Sequence, residues 1–155
     1  MANMGSPSAA KNAMDGGTGR RFLIVDDSAT MRRILEHSLA LLGYPGSLHA
    51  ANGKDALRVL SVEPVDAIIT DWQMPEMNGL DLIKALQSTP DTSYLPILVV
   101  TGSASVNDVR QALALGIHGY ILKPFNLAIL REKVEAIASY MSTYSPALSR
   151  LKPTA

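Results

Sequence analysis

Residues 22–42 read FLIVDDSATMRRILEHSLALL, and the fold can be decided from this stretch. Phe22 to Val25 are apolar without alternation, the pattern of a strand covered on both faces. Two aspartates follow. Beyond them Met31, Ile34, Leu35, Ser38, Leu39 and Leu42 fall on one predicted buried helical stripe, with Arg32, Arg33 and Glu36 on the other side.

The same unit recurs along the chain. Further short apolar runs stand at Ser47–Ala50, Ala67–Thr70, Ile97–Thr101 and Tyr120–Leu122, the first of these being the weakest strand signal. Amphipathic stretches fit helices over Gly53–Val62, Gly79–Ser88, Ser105–Leu115 and Asn126–Tyr140. Asn126 can cap the last helix, and Gly43 and Gly116 can end the first and fourth. Five strand–helix repeats predict an α/β fold: a doubly wound, five-stranded parallel sheet with helices on both faces and right-handed crossovers.

With 155 residues the chain has room for one domain with a proper core. Its 47% hydrophobic and 18% charged composition suits a globular protein. Acidic and basic side chains balance at 14 each, which predicts no bulk attraction to nucleic acid or anionic membrane. Cysteine is absent, which removes disulfides, thiolate metal sites and cysteine nucleophiles. No apolar run approaches the roughly 20 residues that span a bilayer, and the N-terminus lacks a secretory h-region, so the expected address is the cytoplasm. Residues 1–19 hold no Leu, Ile, Val or aromatic residue and predict a flexible tail; 142–155 predict a short fraying one.

In a doubly wound sheet, ligands bind outside the carboxyl ends of the strands. Here the first strand ends in Asp26-Asp27, the third in Asp71, the fourth in Thr101 and the fifth in Lys123-Pro124. Each has a plain alternative. The aspartates could cap a helix, Asp71 could form a turn, and Thr101 could close its strand. Together they are harder to dismiss, because three carboxylates, a hydroxyl and an ammonium at one edge are costly without a ligand. Close carboxylates form a hard-oxygen site suited to Mg²⁺. A carboxylate beside Mg²⁺ can attack phosphorus, with Lys123 and Thr101 receiving the phosphoryl oxygens. His37, His49 and His118 lack metal-ligand spacing and read as ordinary helix, strand or loop residues.

At these residues the sequence resembles a known family. Asp26-Asp27, Asp71-Trp-Gln-Met-Pro75 with Met77-Asn-Gly79, Thr101-Gly102, and Tyr120 with Lys123-Pro-Phe125 look like the receiver domain of two-component response regulators. The likeness runs from about Arg21 to Tyr140, placing a receiver domain at 20–141. Met31-Arg-Arg-Ile34 and Asp71-Trp72 look most like the single-domain chemotaxis regulators of the CheY type.

The resemblance implies a CheY-like (βα)5 fold and a phosphoacceptor rather than a turnover enzyme. Asp71 would accept a phosphoryl group from a sensor histidine kinase. Asp27, Asp71 and the backbone carbonyl of Gln73 would bind Mg²⁺ directly, with Asp26 helping through water. Lys123 would pair with the phosphoryl group across a cis Lys123–Pro124 bond. Thr101 would move toward that group and Tyr120 would turn inward, altering an output surface on the fourth helix, fifth strand and fifth helix. Gly102 would leave the phosphoryl group open to water.

The implied downstream partner is a flagellar motor switch protein. The alternative is a phosphorelay or kinase-associated receiver that passes its phosphoryl group to a histidine phosphotransfer protein. A Mg²⁺-dependent aspartyl-phosphate phosphatase would carry its nucleophile on the first strand with an acid two positions later, where this chain has Ser28 after Asp26. A flavodoxin-like cofactor binder would carry a phosphate-cradling loop where this chain has two aspartates. A scaffold without phosphorylation is opposed by the intact polar set. Neither direct nucleic-acid binding nor membrane insertion is expected.

Overall fold

The computed structural model describes residues 19–102 and 105–143. Its strands are β1 (Phe22–Val25), β2 (Leu48–Ala50), β3 (Ala67–Thr70), β4 (Ile97–Thr101) and β5 (Gly119–Leu122). Its helices are α1 (Ala29–Leu41), α2 (Gly53–Leu60), α3 (Gly79–Gln87), α4 (Val106–Ala114) and α5 (Leu127–Thr143). All neighbouring strands pair in parallel, in the order β2-β1-β3-β4-β5. This is the doubly wound α/β sheet expected from the strand–helix repeat.

Successive strand side chains point to opposite faces, and here each face has its own core. Phe22 and Ile24 of β1, with Ile69 and Leu98, pack against Leu35 and Leu39 of α1 and Leu130 and Val134 of α5. Leu23 and Val25, with Ile68 and Val99, pack against Ala56 of α2, Leu82, Ile83 and Leu86 of α3, and Ala112 of α4. Burial on both faces explains why the central strands read as unbroken apolar runs. Each filled position matters: emptying one, as in Leu39→Ala, costs about 2–5 kcal/mol.

The two edge strands differ. On β2, Leu48 and Ala50 join the core beneath α2 and α3, while His49 turns to the other face and stays partly exposed. Leu122 of β5 is 55% exposed.

Helix boundaries follow local chemistry. Ser28, not Asp26 or Asp27, caps α1, its hydroxyl accepting the Met31 N–H at 3.1 Å. Asn126 accepts from the Ile129 N–H at 2.9 Å, as predicted. Gly43 and Gly116, at φ +101° and +80°, follow α1 and α4 in the left-handed region that glycine tolerates.

Two expectations need correction. Ile34 lies outside the buried stripe of α1 and is 45% exposed; the line packed against the core runs through Met31, Leu35, Leu39 and Leu42. Helix α5 continues through Ser142 and Thr143, two residues into the segment read as a tail. Otherwise the two predicted tails lie outside the described residues, Gly19 excepted.

Candidate functional site

The strand order reverses between β1 and β3, which opens a crevice at their carboxyl ends. Val25 and Thr70 are register partners there, so the residues that follow them, Asp26 and Asp71, emerge side by side. The Asp71 N–H donates to the Val25 carbonyl at 2.9 Å and the Asp26 N–H to the Ala50 carbonyl at 3.1 Å. Both carboxylates are thus fixed from the backbone upward.

One oxygen from each of Asp26, Asp27 and Asp71 lies within 4.8 Å of the others. Asp26 and Asp71 are buried and Asp27 is exposed. Lys123 reaches in from the end of β5, donating from Nζ to Asp26 Oδ2 at 2.8 Å and to Asp71 Oδ2 at 3.0 Å. The other Asp71 oxygen, Oδ1, accepts the N–H groups of Trp72 at 2.6 Å and Gln73 at 3.2 Å. Thr101 is buried at the end of β4, and its carbonyl accepts the Lys123 N–H at 2.8 Å. The Lys123–Pro124 peptide is cis.

Charge balance in the crevice follows from burial. Burial raises the Asp26 carboxyl above its ordinary range, opposed by hydrogen bonds from Lys123 and the Ser28 N–H. Burial alone would lower the Lys123 ammonium; hydrogen bonds to Asp26 and Asp71, with their charges, outweigh it and shift Lys123 upward. One ammonium therefore serves two buried acids while a third stands exposed beside them. This set has the hard-oxygen chemistry and surplus negative charge that suit a divalent cation such as Mg²⁺.

Tyr120 stands apart from this cluster. It lines an apolar groove of about 390 Å³ with Val106, Val109, Arg110, Leu113 and Leu122 on the α4–β5 face. Its hydroxyl is buried without a hydrogen-bond partner among the described residues. Desolvation raises its pKa, with the charges of Asp108 and Asp71 adding to the shift.

Three features of the site were not read from the sequence. Gly79 packs so tightly that a Cβ there would lie 2.4 Å from the Asp71 carbonyl oxygen and 2.9 Å from Trp72 Cα. Asn78 beside it caps α3 by accepting the Asp81 N–H at 2.9 Å. Glu76 adopts φ +67° in the loop after Asp71, a conformation uncommon for a non-glycine residue. Arg32, placed on the side of α1 away from the buried stripe, donates to the Asp26 carbonyl at 2.6 Å.

Comparison with known proteins agrees with this geometry. Residues 22–135 match the response regulator receiver domain. Chemotaxis protein CheY1 of Helicobacter pylori is 42% identical over 118 residues, covering 76% of this chain and 95% of that protein. The high-resolution structure of the chemotaxis response regulator CheY4 of Vibrio cholerae superposes with a TM-score of 0.70 at 32% identity, covering 76% of this chain and 98% of that one. The receiver domain of a signal transduction histidine kinase from Syntrophus aciditrophicus gives a TM-score of 0.66 at 34% identity, covering 88% and 95%. The chain belongs to the response regulator receiver family and is similar to its chemotaxis members.

Proposed function

We propose that this protein is a phosphorylation-driven signalling switch in the cytoplasm, with Asp71 as phosphoacceptor and a histidine kinase as donor. The observation that carries this reading is the placement of Lys123 between two buried carboxylates with Asp27 exposed beside them. Asp26, Asp27, Asp71 and the Gln73 carbonyl would hold Mg²⁺, which would offset the charge on the phosphoryl oxygens as the carboxylate approaches.

The chain's own groups do the rest. An Asp71 carboxylate oxygen forms a bond to phosphorus as the phosphorus–nitrogen bond of the donor phosphohistidine breaks. The electron pair leaves on the imidazole nitrogen. Lys123 exchanges a carboxylate partner for a phosphoryl oxygen, and the Thr101 hydroxyl donates a hydrogen bond to another. In hydrolysis water attacks phosphorus, the bond to the Asp71 oxygen breaks, and inorganic phosphate leaves with Asp71 restored as a carboxylate. Gly102 supports a water-accessible phosphoryl group, since a Cβ there would meet nothing closer than Lys123 Cβ at 3.9 Å.

Output would pass through the α4–β5–α5 face. Tyr120 supports this: it lines the apolar groove of that face, and its hydroxyl has no hydrogen-bond partner among the described residues. The likeness to chemotaxis proteins makes a flagellar motor switch protein the favoured partner. The likeness to a kinase-borne receiver supports a second reading, transfer to a histidine phosphotransfer protein.

The test is phosphotransfer from a purified, autophosphorylated chemotaxis histidine kinase. Label should pass to the wild-type chain and not to Asp71→Asn. Retention of the label on the kinase, while a known receiver accepts it, would count against the donor assignment.

A further inference from the structure

We infer that Arg32, braced by His49, is a positioning residue that aims Asp27 at the metal site; this rests on the Mg²⁺ reading proposed above. Asp27 is the one member of the acidic triad that is exposed. Its aim depends on the peptide unit that joins it to Asp26. That unit is planar, so the Asp26 carbonyl oxygen and the Asp27 N and Cα move as one body. Arg32 holds that oxygen through Nη1 at 2.6 Å.

Arg32 is itself held. Its Nε donates to His49 Nδ1 at 3.3 Å. A guanidinium has no acceptor, so His49 Nδ1 must be the unprotonated nitrogen and the proton sits on Nε2. His49 Nε2 lies 3.2 Å from Glu36 Oε1. Arg32 and Glu36 stand four residues apart on one side of α1. His49 reaches the gap between them because its register partner on β1 is Ile24, which faces α1. The chain Glu36–His49–Arg32–Asp26 carbonyl therefore ties the edge strand to the acidic turn. Asp26 is also fixed by its own N–H, and its Oδ1 accepts the Ser28 N–H at 2.8 Å. Arg32 Nη1 holds the carbonyl side of that residue.

Charge and position predict opposite signs, which makes the inference sharp. Deleting a cation beside a cation site should tighten Mg²⁺ binding on Coulombic grounds alone. Deleting a positioning group should weaken it, by about tenfold for a partner that orients a metal ligand.

The experiment titrates Mg²⁺ into the full chain and follows the fluorescence of Trp72, the residue after Asp71 and the only tryptophan. Amide hydrogen exchange is measured in parallel on the metal-free protein. Arg32→Ala should weaken Mg²⁺ about tenfold and speed exchange at Asp27 and Ser28 while leaving Leu23 and Val25 unchanged. Arg32→Lys, which keeps one donor for the Asp26 carbonyl, should recover most of the affinity. His49→Ala should weaken Mg²⁺ less than Arg32→Ala, and the double variant should match Arg32→Ala. Unchanged or tighter binding in Arg32→Ala, with wild type responding normally, overturns the inference and leaves the metal site standing. No Mg²⁺ response in wild type overturns both.

Discussion

Gly79→Ala asks how tightly the backbone of Asp71 is held. The added Cβ would lie 2.4 Å from the Asp71 carbonyl oxygen and 2.9 Å from Trp72 Cα. Both neighbours are backbone, so no side chain can rotate away. Ordinary contact begins near 3.4 Å, and the turn must therefore open by about 1 Å. That movement also strains the 2.8 Å hydrogen bond from the Gly79 N–H to the Trp72 carbonyl. Overpacking of this kind costs about 1–3 kcal/mol, and the better helix propensity of alanine returns at most about 1 kcal/mol. A net loss of about 1–2 kcal/mol is expected in urea unfolding of the metal-free protein. A displacement of about 1 Å at a reacting group costs up to about a hundredfold in rate. Labelling by a small phosphodonor should slow ten- to hundredfold by that measure. Gly102→Ala is the control, because its Cβ approaches nothing closer than 3.9 Å; its unfolding should stay within about 0.5 kcal/mol of wild type. A Gly79→Ala protein as stable and as quickly labelled as wild type would refute the reasoning.

Further predictions follow from the charges and the exposed face. Lys123→Met leaves two buried acids without their shared cation; it should destabilise the metal-free protein by about 1–3 kcal/mol and tighten Mg²⁺, read by urea unfolding and Trp72 fluorescence. Burial lowers the pKa of His118, whose Nδ1 accepts the Ile97 N–H at 3.1 Å. The neutral form is thus favoured in the folded state, so stability is full above the ordinary histidine value of 6.5 and falls as pH drops below it. Its slope should not exceed about 1.4 kcal/mol per pH unit, and His118→Asn should remove it in urea unfolding at stepped pH. Leu113 and Val106 are exposed on α4; Leu113→Ser with Val106→Asn should leave unfolding within about 0.5 kcal/mol and abolish binding of the phosphorylated chain to a motor switch protein, read by calorimetry.

The limits of what could be read ahead are physical. Central strands β1, β3 and β4 were legible because burial on both faces leaves an unbroken apolar run. Strand β2 gave a weak signal because it is a three-residue edge strand with the polar His49 at its centre. Ile34 was misplaced because periodicity reports a stripe without its width, and only the sheet's contact with α1 sets that width. Asp26, Asp27, Asp71, Thr101 and Lys123 were legible because strand ends in this topology face one crevice. The Arg32–His49 brace was not, since it needs β2 to lie beside β1 under α1 and no local signal reports that. The close approach of Gly79 to Asp71 was hidden likewise: a helix start explains an Asn-Gly pair equally well without any neighbour.

Whether Asp71 is the phosphoacceptor is tested most directly by intact-mass spectrometry after incubation with Mg²⁺ and acetyl phosphate, with Asp71→Ala in parallel. A single phosphoryl adduct in wild type, absent from the variant and lost at alkaline pH, is the predicted result. An adduct that survives Asp71→Ala, or no adduct in rapidly quenched samples where a known receiver is labelled, would contradict it.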